Sequence, residues 1–172
     1  MPVVGRGREM LRGDPRDGDQ LMPDRLGRAT HEVICELAAE RHRDRARVAD
    51  AVSRALTRRG TANPALRRRL TNLAHIYLNG LVPPGEVALV GHELTVGEVR
   101  MDLVWATDGR VWADELKTTG GRMTPPLAAQ CARQLRAGTA RWGSAFAGVR
   151  VVWLGCGRTL LVGPSDSGAP GR

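Results

Sequence analysis

The sequence is poor in aromatic residues, poorer still in lysine, and has no long apolar run. Tyr77, Phe146 and four Trp make an aromatic content of only 3%, so a core must rest on Leu, Val and Ala. No stretch approaches the ~20 apolar residues of a membrane-spanning helix. The opening residues, MPVVGRGREMLRGDPRDGDQ, are charged and lack an apolar h-region, so no secretory signal is expected and a cytoplasmic location is. Cys35, Cys131 and Cys156 form no Cys-x-x-Cys pair, which excludes a disulfide framework and a zinc site by spacing and leaves buried free thiols as the expectation.

Lysine occurs once. Of 26 basic residues 25 are Arg, and the exception is Lys117. A chain that uses Arg wherever a generic positive charge suffices has a reason to be sought at that position. The formal charge of +8 and a pI near 11.0 favour a polyanionic partner, nucleic acid being the commonest.

The 172 residues suffice for one domain with an ordinary core. Residues 1–23 and 163–172 are rich in Gly, Pro and charge and read as flexible segments, leaving a domain over 24–162. Asp24 can cap a helix running to about Arg43, with Leu26, Val33, Ile34 and Leu37 at helical spacing. A second helix is expected over about 45–59, and Asn63-Pro64 starts a third that ends near Asn79-Gly80. The apolar period then changes to two, giving strands over 87–94, 98–105 and 111–117. A helix from Pro125-Pro126 to about Arg136 and short strands over 149–154 and 159–162 follow. That order predicts an α/β sandwich around a mixed sheet.

Asp108-Gly109 is a two-residue hairpin signal, because both turn positions need positive φ. With Thr107 facing Arg110, the register pairs Trp105 with Trp112, Leu103 with Asp114 and Met101 with Leu116. On the other face it pairs Asp102 with Glu115 and Arg100 with Lys117. Opposed carboxylates lie only ~5 Å apart and need compensation. Mg²⁺ supplies it, being a hard ion that takes one or two carboxylates with water and phosphate oxygens. A metal so placed activates water and neutralises charge on a phosphodiester, and Lys117 on the same face can hold the water or stabilise developing charge. Cross-strand ion pairing on a solvated face remains the plainer alternative. Asp114 has the wrong parity for the metal and is expected to be satisfied elsewhere, while Glu98 is expected to pair with Arg100.

The run GEVRMDLVWATDGRVWADELKTT resembles the core of the PD-(D/E)XK nuclease superfamily, in particular its RecB-like branch, where a strand bearing Asp precedes a strand reading acid-x-Lys-Thr. The match falls on Asp102, Glu115, Lys117 and Thr118. LGRATHEVICEL resembles that branch's Gly-x-x-x-His helix through Gly27 and His31, and AAQCARQLRAG its Gln-Leu helix through Gln134-Leu135, with Gln130 one turn earlier. Met101 stands where that family often has Pro, and Gly138 where a Tyr often follows the Gln-Leu pair. The resemblance implies a restriction-endonuclease-like core (α-βββ-α-β) with extra N-terminal helices. It further implies Mg²⁺ or Mn²⁺ held by Asp102, Glu115, the Leu116 carbonyl and His31, and a role beside the metal for Gln134 or Gln130. Three scattered Cys cannot bind the four-thiolate iron–sulfur cluster of some relatives, and none is expected.

Arg67, Arg68 and Arg69, with Arg100, are candidate phosphate contacts, giving affinity without base specificity. His42, His75 and His92 have no context suggesting a role. The expected activity is hydrolysis of phosphodiester bonds in DNA, with RNA as a further substrate. The alternative is a non-catalytic nucleic-acid-binding protein, in which the helices about 45–59 and 64–79 form a helix-turn-helix.

Overall fold

A computed structural model describes residues 22–40, 44–83 and 85–164 of the chain. The expected flexible ends, 1–23 and 163–172, lie almost wholly outside these residues, as do Arg41 to Arg43 at the expected end of the first helix.

Three helices precede the sheet: α1 (Met22–Glu40), α2 (Arg45–Arg58) and α3 (Pro64–Ile76). Asp44 caps α2 by accepting from the Arg47 amide at 2.9 Å. Asn63 caps α3 through the amides of Ala65 and Leu66, with Pro64 at the first helical position, where its missing N–H costs nothing. Five strands follow: β1 (Ala88–Val96), β2 (Val99–Thr107), β3 (Arg110–Lys117), β4 (Phe146–Trp153) and β5 (Arg158–Val162). Between β3 and β4 runs α4 (Pro125–Trp142). The sheet order is β1-β2-β3-β4-β5; β3 and β4 are parallel, joined through α4, and every other neighbour pair is antiparallel.

Each sheet face carries its own core. On one, Leu103, Trp105, Leu116, Val152 and Leu154 pack with buried residues of α1, α2 and α3. On the other, Met101, Val104, Ala113, Val149 and Val151 pack with Leu127, Cys131 and Leu135 of α4. The protein is therefore α/β, a five-stranded mixed sheet flanked by helices, as its element order implied.

Two helix ends differ from expectation. The third helix gives way at Tyr77 to a π-helical turn, Tyr77–Leu81, that carries the Tyr77 hydroxyl to Asp114. The last helix continues past Arg136 to Trp142, with Gly138 inside it. A Cβ on Gly138 would lie 2.3 Å from the Phe146 ring. Close ring packing there offsets the ~1 kcal/mol that glycine costs a helix interior and fills the space a larger residue would need.

The hairpin turn has the expected form: Asp108 and Gly109 have φ of 49° and 73°. Its register also follows, from Thr107 opposite Arg110 to Leu103 opposite Asp114. There the ladder stops. Met101 and Leu116, expected to face each other, lie in different cores. Met101 and Leu103 should share a face, being two residues apart on a strand, yet they too are divided between the cores. The alternation of β2 breaks at Asp102.

Candidate active site

The break at Asp102 is matched on both neighbouring strands. On β1 the pairing passes from His92 opposite Leu103 to Leu94 opposite Met101, so Glu93 lies opposite Asp102 without a ladder bond. Glu93 has a φ of 48°, a conformation rare outside glycine that costs ~1 kcal/mol or more. On the β3 side, Asp102 uses its side chain instead of its backbone: Oδ2 accepts from the Leu116 amide at 2.8 Å. The sheet thus opens at one level, and polar side chains enter the seam.

Leu116 is the hub of this arrangement. Its N–H donates to Asp102 and its carbonyl accepts from His31 Nε2 at 3.1 Å. His31 reaches the seam from α1, where Leu26, Val33, Ile34 and Leu37 seat the helix on the core. Its other nitrogen, Nδ1, lies 3.4 Å from Asp102 Oδ1. Burial alone would lower the His31 pKa, but the hydrogen bond and charge of Asp102, with smaller help from the Leu116 carbonyl and Glu115, raise it above 6.5. Cys35, one turn along α1, directs its thiol at the Asp102 carbonyl, and burial pushes that thiol up to about 12. It is no nucleophile. Cys131 on α4 is likewise raised to about 11 by burial, and all three cysteines are free.

Glu115 and Lys117 flank Leu116 and turn to the α4 side. Glu115 Oε1 accepts from the Lys117 ammonium at 2.6 Å, and Oε2 from Gln134 Nε2 at 2.7 Å. The same Gln134 nitrogen donates to the Arg100 carbonyl at 3.0 Å. Both partners are acceptors, so the amide nitrogen must face them, and Oε1 of this fully buried residue is left without a hydrogen-bond partner. Of the two candidate glutamines, Gln134 is the one in the site. Gln130 is half-buried and takes no part in the hydrogen bonds of Glu115.

The expected face-to-face pairing of Asp102 with Glu115 and Arg100 with Lys117 is therefore replaced. Asp102 leaves the ladder to bond Leu116, and Glu115 is held by Lys117 and Gln134. Arg100 pairs with Glu93 at 2.9 Å rather than with Glu98, which sits exposed in the β1–β2 turn. Asp114 is satisfied away from the site, as its parity implied: Arg150, Tyr77 and Trp105 all donate to it.

A cleft of about 1010 Å³ opens over the seam, lined among others by Arg28, His31, Glu93, Arg100, Leu116 and Lys117. Asp102 and Glu115 lie behind this lining, 4% and 3% exposed. Arg67, Arg68 and Arg69 are exposed on α3 and do not line the cleft; Arg67 bonds Ser53 on α2. The basic groups at the cleft are Arg28, Arg100 and Lys117, and His92, to which the sequence assigned nothing, also lines it. Farther along, Glu32 and Glu36 are neutralised by Arg54, Arg58 and Arg59.

Among the described residues, His31, Glu93 and Asp102 offer metal-type ligand atoms all within 4.8 Å of one another. Glu93 escaped the sequence reading because alternation from Asp102 gives no hint of a kinked residue on β1. The only signal was an acid between His92 and Leu94 in an otherwise apolar strand. No described helix is long and apolar enough to cross a membrane. No protein-family model and no curated protein matches this chain, so its family is not shown by comparison and its function rests on the site itself.

Proposed function

We propose that this protein is a divalent-metal-dependent phosphodiester hydrolase acting on DNA, with RNA as a further substrate, and that its core is of the restriction-endonuclease-like kind found in PD-(D/E)XK nucleases of the RecB-like branch. One observation carries the reading. The Leu116 peptide binds Asp102 through its N–H and His31 through its carbonyl, while Glu115 and Lys117 stand on either side of it. The four groups that the motif sets in sequence thereby meet at one strand end beneath a cleft.

The donor set suits a hard or borderline divalent ion: carboxylates, a backbone carbonyl and an imidazole. Asp102, with His31 and the Leu116 carbonyl, would hold it, Glu115 completing the acidic pair when released from Lys117 or Gln134. Such an ion supplies an activated water and neutralises charge on the phosphate.

The chain's own residues do the rest. Lys117, a compact ammonium on a flexible stem, can donate to a phosphate oxygen or hold the attacking water without blocking it. Gln134 fixes the rotamer of Glu115, and its free Oε1 can accept from a water in the seam. Arg28 and Arg100 can contact phosphates entering the cleft, giving affinity without base recognition. A strongly basic chain matches that substrate class.

The test is incubation of the full chain with Mg²⁺ or Mn²⁺ and linear, circular, single- and double-stranded DNA. Metal-dependent cleavage that is lost in Asp102→Asn supports the reading. Binding that needs no metal, with no cleavage of any substrate, would instead favour a nucleic-acid-binding protein using α2 and α3.

A further inference from the structure

Three features of the described residues stand outside the reading just given: the Asp114–Arg150–Tyr77 cluster, the exposed Leu160 and Leu161 on edge strand β5, and Glu93. The first is fully paired and the second shows nothing that would cover it. Glu93 carries an inference.

His31 Nε2 points at the Leu116 carbonyl, which can only accept, so Nε2 bears the hydrogen. In the neutral ring, Nδ1 then presents a lone pair to Asp102 Oδ1 at 3.4 Å. Asp102 is buried, and its other oxygen is already committed to the Leu116 amide. Two acceptors facing each other in a buried seam require a positive species between them, either a proton on the ring or a cation. A ring N–H held by a backbone carbonyl, with the opposite nitrogen free, is also the usual way a metal-binding imidazole is oriented.

The carboxylate that completes this group is not Glu115. Both Glu115 oxygens are engaged, by Lys117 and Gln134. Glu93 comes instead, from β1, at the position opposite Asp102 where both strands leave their ladder. A Glu93 oxygen lies within 4.8 Å of ligand atoms of both His31 and Asp102, and Arg100 holds the carboxylate by one side through Oε2.

We propose that Glu93, His31 and Asp102 form a divalent-cation site that prefers Mn²⁺ to Mg²⁺. The inference rests on the cleft being cation-dependent, as proposed above, but departs from it in giving the third ligand to Glu93. One imidazole nitrogen with two carboxylate oxygens suits Mn²⁺, because Mg²⁺ is the harder ion and takes nitrogen poorly. Arg100 has a second role here: its charge balances the acids in the metal-free protein.

The experiment uses the metal alone as probe. Mn²⁺ is titrated into the full chain and free Mn²⁺ is followed by electron paramagnetic resonance, for wild type, Glu93→Gln and Glu115→Gln. Glu93→Gln should weaken binding roughly tenfold or more, the scale on which even outer contacts of a metal site matter. Glu115→Gln should stay within about twofold of wild type, since its loss removes no ligand. In wild type the bound Mn²⁺ should show a ¹⁴N coupling from His31, a readout that needs no variant to fold. Wild-type binding by Glu93→Gln, loss of binding in Glu115→Gln, or bound Mn²⁺ without nitrogen coupling would each overturn the proposal. DNA cleavage distinguishes the two readings: Mn²⁺ bound as expected without cleavage sinks the hydrolase, whereas cleavage with an indifferent Glu93 sinks only this site.

Discussion

Gln134 Nε2 lies 2.7 Å from Glu115 Oε2 and 3.0 Å from the Arg100 carbonyl, so one amide on α4 ties together the ends of β2 and β3. Gln134→Ala would leave a buried carboxylate oxygen and a backbone carbonyl without their donor. An unsatisfied buried group costs ~1–3 kcal/mol. The expected outcome is a loss of about 2 kcal/mol or more in urea unfolding, together with weakened metal-dependent cleavage, because Glu115 loses its fixed rotamer. Stability unchanged within experimental scatter would show that water replaces the amide and that the tie is dispensable.

A second prediction concerns the wholly buried Asp114. Arg150 Nε and Nη2 donate to its two oxygens at 2.7 and 2.8 Å, Tyr77 adds a bond at 2.7 Å, and Arg150 also reaches the Leu81 carbonyl at 2.7 Å. Burial, followed by the charge and hydrogen bond of Asp114, holds the Tyr77 hydroxyl well above its ordinary pKa, so it stays a donor. Arg150→Met should cost ~3–5 kcal/mol, the usual price of stranding one buried charge. Tyr77→Phe should cost only ~1 kcal/mol, since Trp105 and Arg150 still serve Asp114. Equal costs in thermal unfolding would contradict this division of roles.

The contrast between Asp114 and Glu93 shows what could be read from the sequence. Asp114 was legible because the Asp108-Gly109 turn fixes the register and parity then sends its side chain away from Glu115. The cap at Asn63-Pro64 and the Asp102, Glu115, Lys117 and His31 motif were legible for the same reason: local chemistry determines each. Glu93 was not. Its place depends on an irregularity shared by β1 and β2, and a one-residue break in alternation leaves no composition signal. The same break misplaced Met101 against Leu116. Gly138 misled in another way, since a glycine that looks like a helix end is a seat for the Phe146 ring 8 residues later in the chain.

A third prediction follows from His31, whose pKa is raised above 6.5 in the folded, metal-free protein. Burial opposes the shift, and the Asp102 hydrogen bond and charge outweigh it. A raised folded pKa means the folded state binds the proton more tightly than the unfolded chain does. The resulting stability is complete below about pH 6.5 and is lost as pH rises through the folded value. Melting temperatures in chelator should therefore fall across that window for wild type and change less for Asp102→Asn. An identical pH dependence in the two proteins would mean that Asp102 is not what holds the proton.

The central claim is that the Lys117 ammonium, 2.6 Å from Glu115, serves a metal-dependent cleavage reaction. Arg is this chain's default cation, so Lys117→Arg keeps the charge and changes only its shape and its inability to release a proton. The deciding measurement is Mn²⁺- and Mg²⁺-dependent DNA turnover by wild type, Lys117→Arg and Arg110→Lys, with DNA binding measured in parallel. Arg110, exposed at the end of the hairpin turn, is the control for an Arg–Lys exchange. The account predicts that Arg110→Lys cleaves like wild type while Lys117→Arg binds DNA and cleaves almost none. Cleavage by Lys117→Arg at the wild-type rate would contradict it.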